Sequence, residues 1–193
     1  MGRRSRIERA TSETSIAVSL DLDGKGEGKI STPVGFFNHM LQTFARHSGI
    51  DLTVEAQGDV EVDFHHLVED TGVVLGEALA QALGDKRGIE RFGEALVPMD
   101  EALAQVALDL SGRTHLSFSA TFPAYKVGDF DTELVQEFFQ GVARGSKMTL
   151  HVRLLEGKNS HHAIEAIFKA FARALRQAIR VGEGDIPSTK GIL

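Results

Sequence analysis

The hydrophobic and polar positions of this chain fall into two periods that recur in the same order. "TSIAVSLDLDG" alternates with period two, as a half-buried strand does, and "GKISTPV" continues the β-rich stretch. "FFNHMLQTFARHSG" then takes the three-to-four spacing of an amphipathic helix, and "IDLTVEAQGD" returns to strand alternation. "HHLVEDTGVVLGEALAQAL" predicts a longer helix ended by Gly84. The second half answers in kind. "ALAQVALDLSG" and "THLSFSATF" predict strands, "ELVQEFFQGVARGSK" a helix, "MTLHVRLLEGK" a strand, and "HHAIEAIFKAFARALRQAI" again a long helix. An internal duplication of a strands-helix-strand-helix unit accounts for this order. It predicts an α+β fold in which helices cover the outer faces of two sheets, or the sheets lie side by side. The repeat halves are residues 1–90 and 91–193, joined around "LGDKRGIERFG" at residues 83–93, in one compact body.

Composition narrows the functional classes. With 193 residues, 42% hydrophobic and 25% charged, the chain can bury a sizeable core and is not of the disordered class. A formal net charge of -6 argues against a nucleic-acid partner, because phosphate contacts call for a basic face. No apolar run approaches the ~18 residues of a membrane span, so no membrane partner is expected. The start "MGRRSRIERA" is basic but lacks the apolar stretch of a signal peptide, and a cytoplasmic location is expected. The absence of cysteine excludes disulfides and thiolate metal sites.

Chemistry concentrates in two histidine pairs. Half of the chain's eight histidines stand in "DFHHLVED" and "NSHHAIEA", each pair at the start of a predicted long helix. Adjacent helical residues point about 100° apart, so His65 and His66 diverge and serve two ions better than one. Glu69 follows within a turn of both, and Glu165 has the same relation to His161 and His162. The duplication matches His39 with Glu137, each in the shorter helix of its half. Imidazole and carboxylate replace one another readily as ligands of divalent ions and poorly in a packed core. These eight donors suffice for two ions with four protein ligands each and open positions for substrate. Nitrogen and oxygen donors suit Mn, Fe, Co or Zn. A solvated helix start explains one such motif but not its copy at the matching position. His115 and His151 stand singly in strand-like sequence and read as parts of the fold. His47 lies two turns beyond His39 on nearly the same helix face.

"GFFNHMLQTFARHSGIDL", "GDVEVDFHHLVEDTGVVLGEAL", "GIERFGEALVPMDEAL", "DLSGR", "NSHHAIEAIFKAFARALRQA" and "IPSTKG" together resemble the imidazoleglycerol-phosphate dehydratase family, from about Arg9 to Gly191. The resemblance implies a duplicated ferredoxin-like or ribosomal protein S5 domain 2-like fold, two Mn²⁺ ions per active site, and a homo-oligomer of 24 subunits with sites between neighbours. Many relatives have His where this chain has Glu137. Others carry a fused phosphatase domain, and a monofunctional form is expected here. The implied reaction is a step of histidine biosynthesis. A hydro-lyase removes water from imidazole glycerol phosphate to give imidazole acetol phosphate, through an imidazolate held by both metals. The resemblance also implies roles for single residues. Glu13 is the first candidate for proton transfer, and it and His47 would contact substrate. Asp100 and Glu101 in "VPMDEAL" are a second acidic group; Asp100 would be an acid or base, with the N-cap of a helix over "EALAQVAL" as the alternative. Arg91, Arg113, Lys169, Ser188, Thr189 and Lys190 would supply phosphate donors, with Arg91 and Arg113 foremost. A two-metal phosphoester hydrolase would use the same ligands but release free phosphate. A metal-storage protein would bind ions without turnover.

Overall fold

The computed structural model describes residues 2–182 and 184–191. The first half runs β1 (Arg4–Ala10), β2 (Thr14–Asp21), β3 (Gly28–Ser31), α1 (Gly35–Ser48), β4 (Asp51–Gly58) and α2 (His65–Leu83). In the second half β5 (Phe92–Met99), β6 (Ala102–Asp109) and β7 (His115–Ser119) lead to α3 (Leu134–Ser146), β10 (Thr149–Glu156) and α4 (Ser160–Ala178). A small hairpin, β8 (Lys126–Val127) and β9 (Phe130–Asp131), precedes α3. The two sheets have the same topology. Their orders are β1-β2-β4-β3 and β5-β6-β10-β7, each with two antiparallel pairings followed by one parallel pairing.

Each sheet buries one face. Ile16, Val18 and Leu20 of β2 with Leu52, Val54 and Ala56 of β4 point inward, while Ser15, Glu55 and Gln57 stay outside. The helices lie on these inner faces, and they also meet across the halves, α1 on α4 and α2 on α3. The expectation of helices over the outer faces is therefore corrected: a helical middle layer separates two sheets whose outer faces are open. The composition of the helices explains this. α2 is buried around most of its circumference, at Leu67, Val68, Val73, Val74, Leu75, Ala78 and Leu79, so it needs a sheet on one side and another helix on the other. Phe37, Phe44, Phe138, Phe139, Phe168 and Phe171 fill the space where α1, α3 and α4 meet.

Small residues set the closest approach. A Cβ at Gly72 would lie 2.4 Å from the Phe138 carbonyl oxygen, and one at Gly145 would lie 2.2 Å from that of Val73. Gly76 and Gly141 are equally confined, so α2 and α3 run side by side in one direction with their backbones almost touching. The basic start, for which the hydrophobic pattern offered no element, contains a full strand, β1. "EALAQVAL" forms strand β6, so Asp100 is no helix cap; at φ 49° it occupies the tight turn between β5 and β6.

Candidate metal and substrate site

The histidine pairs sit where the sequence starts a helix twice. Asn159 caps α4, its side-chain oxygen accepting from the backbone N–H groups of His161 and His162. Asp63 does the corresponding work for α2, accepting from His65 N at 2.7 Å. The rings of each pair diverge, His65 and His66 at 88° and His161 and His162 at 79°. One member of each pair turns toward its own glutamate and the other away.

His161 and Glu165 of α4 meet His39 of α1. Glu165 Oε2 lies 3.4 Å from His39 Nε2 and 3.3 Å from His161 Nε2. Ligating atoms of the three residues all fall within 4.8 Å of one another. Phe36 backs this group, 5.1 Å from His161 edge to face. The second oxygen of Glu165 is held by Lys169 Nζ at 2.7 Å, which leaves the first aimed at the imidazoles. Burial pushes the Glu165 carboxyl up, but Lys169 and His39 together outweigh it and hold the carboxyl below its ordinary value. His47 lies further along α1. Burial, reinforced by Lys169 and Arg173, lowers its basicity and favours the neutral ring.

The other half has a less compact counterpart. His65 Nε2 is 3.7 Å from Glu69 Oε2, and Glu69 Oε1 pairs with Arg144 of α3 at 3.1 Å. Gly141 packs against the Glu69 carbonyl; Glu137 precedes Gly141 by one turn, as His65 precedes Glu69. In two helices running in register, this places Glu137 beside the first turn of α2, the position His39 takes beside α4.

His66 and His162 face different partners. His66 Nδ1 is 3.0 Å from Asp59 and 4.0 Å from Glu13. His162 Nδ1 is 2.7 Å from Glu101 Oε2, while its Nε2 is 3.7 Å from Asp100. Of this acidic pair, Glu101 makes the close contact. It also accepts from Lys158 N and Asn159 N, and with His162 foremost these donors pull its carboxyl down to about 2. The carboxylates beside His66 and His162 raise both imidazoles above their ordinary value.

The expected phosphate donors divide between two places. Lys169 stands by the His39 group. Arg91, Arg113 and the segment Ser188–Lys190 gather around Asp109 and Pro187. Arg91 sends Nε and Nη2 to Asp109 at 2.7 and 3.0 Å and Nη1 to the Pro187 carbonyl at 2.8 Å, engaging three of a guanidinium's five N–H donors. Arg113 is exposed, with Nη2 3.9 Å from Asp109. Arg91 N donates to the Ala178 carbonyl at the far end of α4. At 1.5 Å per residue, that end lies roughly 25 Å from His161. One chain therefore does not bring these donors to its own His39 group. Asp59, Asp70 and Arg144 are site neighbours that carry no motif of their own in the sequence.

The model of the imidazoleglycerol-phosphate dehydratase family matches residues 32–175, which include all eight expected ligands. The chain belongs to this family. An imidazoleglycerol-phosphate dehydratase of Desulforamulus reducens is 57% identical, with the whole of each chain covered. One of Methanosarcina mazei is 56% identical over 99% of this chain and 100% of the relative. The crystal structure of the Staphylococcus aureus imidazoleglycerol-phosphate dehydratase superposes with a TM-score of 0.84 at 45% identity, covering 93% of this chain and 99% of that one. The Pyrococcus furiosus enzyme gives 0.85 at 38% identity, with 97% and 100% covered. Both solved relatives match the two-sheet architecture across the two halves. Among the described residues, no helix is long and apolar enough to cross a membrane.

Proposed function

We propose that this family member removes water from imidazole glycerol phosphate to give imidazole acetol phosphate in histidine biosynthesis, with two divalent ions per active site, Mn²⁺ foremost, in a cytoplasmic homo-oligomer. The observation that carries the reading is the convergence of His39, His161 and Glu165 from two helices of different halves. Two imidazoles and one carboxylate oxygen form a donor set suited to a first-row divalent ion, with positions left for other ligands. His65, Glu69 and Glu137 form the matching set on α2 and α3. His66 and His162 supply the remaining donors: each has Nδ1 on a carboxylate, the second contact that orients a ligating imidazole through Nε2. Because both rings turn away from their own helix's glutamate, they are placed to complete sites with a neighbouring copy. The same holds for Arg113, Ser188, Thr189 and Lys190, far from the His39 group. The halves 1–90 and 91–193 are then two copies of one ligand-bearing unit.

The hydrogen to be lost is not acidic, since it lies on a carbon next to no carbonyl group. When bound, ions at these donors would stabilise as Lewis acids the charge that develops on the imidazole ring. The chain's own residues bind and move protons. Glu13, half-exposed beside His66, takes a proton at its carboxylate, and Asp100 beside His162 stands ready as a second acid or base. Neutral His47 and the Lys169 ammonium contact the substrate. Arg91, with two N–H donors uncommitted among the described residues, and exposed Arg113 hold its phosphate.

Incubation of the Mn²⁺-loaded protein with imidazole glycerol phosphate, followed by mass spectrometry, is expected to show loss of one water with the phosphate retained. Release of free phosphate would instead support a two-metal hydrolase, and metal binding without turnover a storage protein.

A further inference from the structure

The side chain of Glu13 approaches His66 Nδ1 only at 4.0 Å, too far for a hydrogen bond, and it lies in the exposed turn between β1 and β2. The Thr11 hydroxyl closes the turn locally, accepting from Glu13 N at 3.1 Å and Thr14 N at 3.0 Å and lying 3.3 Å from the Thr14 hydroxyl, but a general base must also be placed against the helix that carries His66. Asp70 grips both arms of the turn. It lies one helical turn after His66 on α2 and is buried. Its Oδ2 accepts from the Thr14 hydroxyl at 2.6 Å, and its Oδ1 pairs with the Arg9 guanidinium. Thr14 follows Glu13 directly, and Arg9 precedes the turn in β1. On the other side Asp59, the partner of His66, donates its backbone N–H to the Glu13 carbonyl at 3.0 Å. His66 and Asp70 thus meet Glu13 and Thr14 as successive rungs of one ladder.

The second half shows where this device is dispensable. Ala166 occupies the position on α4 that matches Asp70, and it is fully buried. There Glu101 holds His162 directly at 2.7 Å, so its turn needs no separate anchor. The duplication has an anchor only where the acid is not held by its own hydrogen bond.

We propose that Asp70 is a positioning residue that aims Glu13 at the substrate through Thr14 and Arg9, an inference that rests on the reading of Glu13 as the proton-transfer group. Its test is a double-mutant cycle on the Mn²⁺-loaded protein with imidazole glycerol phosphate. Thr14→Val keeps shape and removes only the hydroxyl. It should lower kcat about 10- to 100-fold, the scale of a misplacement near 1 Å, with KM changed less than about twofold. Thr14→Ser should restore most of the rate. Asp70→Asn, which keeps an acceptor for Thr14 but loses the charge facing Arg9, should fall between the two. Metal content per chain should stay at the wild-type value in all three. In a Glu13→Gln background Thr14→Val should cost nothing further, because the group it aims is gone. Losses that multiply in the double variant, wild-type kcat in Thr14→Val, or loss of bound metal in step with rate would each overturn the inference. Wild-type turnover in Glu13→Gln alone would instead remove the reading of Glu13 on which it rests.

Discussion

Glu101 and His162 form a close charged contact at 2.7 Å, and its pH dependence follows from the directions of the two shifts. The Glu101 carboxyl is lowered from 4.5 to about 2, so its contribution to stability is full above 4.5 and lost as pH falls toward 2. The His162 imidazole is raised above 6.5, so its contribution is full below 6.5 and lost as pH rises through the higher value in the folded protein. In metal-free protein the stability difference between wild type and Glu101→Gln should therefore be greatest between pH 4.5 and 6.5 and shrink on both sides. Thermal melts of chelated protein across pH 3–9 measure it. A difference that grows above pH 8 would show that the pair is not an ionic contact. The same residues show what sequence could and could not disclose. The histidine pairs and glutamates Glu69 and Glu165 stood out because the chain repeats them at one helical position. Asp70 and Glu101 stood out only as second acids beside Glu69 and Asp100, and Asp59 not at all, because acidic side chains are common on surfaces and only tertiary pairing distinguishes these three.

Among the elements, the four helices and strands β2, β4, β6, β7 and β10 were legible because one face of each is apolar at the proper period. β1 was not: Arg4, Arg6 and Glu8 alternate with Ser5, Ile7 and Arg9, and only Ile7 in that set is an apolar inward residue. β5 was obscured by Gly93 and Pro98, both poor strand formers, of which Gly93 is required because a Cβ there would strike the Ala174 carbonyl at 1.9 Å. The central helical layer was written in the near-complete burial of α2 and in glycines four apart on both α2 and α3, a pattern that permits backbone contact between helices. Gly145→Ala tests that contact. With Val73 O and Glu77 N as neighbours, the added methyl meets backbone that cannot rotate away, and the variant should lose about 1–3 kcal/mol of stability by overpacking. Denaturant unfolding with an unchanged m-value would measure it. A neutral effect would mean that α2 and α3 lie further apart than described.

At the scale of the molecule, the duplication gives each chain two proposed ligand sets and places the Arg91–Asp109 cluster at the other end of α4 from one of them. Elemental analysis of stripped and Mn²⁺-reloaded protein should therefore find about two ions per chain, and saturation at one would contradict the two-metal reading. On the proposed reading, ions bound between copies would stabilise the assembly, so light scattering should report smaller species after chelation and their reassociation on adding Mn²⁺. The central claim, that an active site draws residues from two chains, is tested most directly by complementation. Glu165→Gln chains and Arg113→Ala chains, each inactive alone, are mixed after chelation and reloaded with Mn²⁺. Random assembly restores both residues at about a quarter of sites, so roughly that fraction of wild-type turnover is predicted. Mixed oligomers that form yet show no more turnover than either parent, or a monomer with full activity, would contradict it.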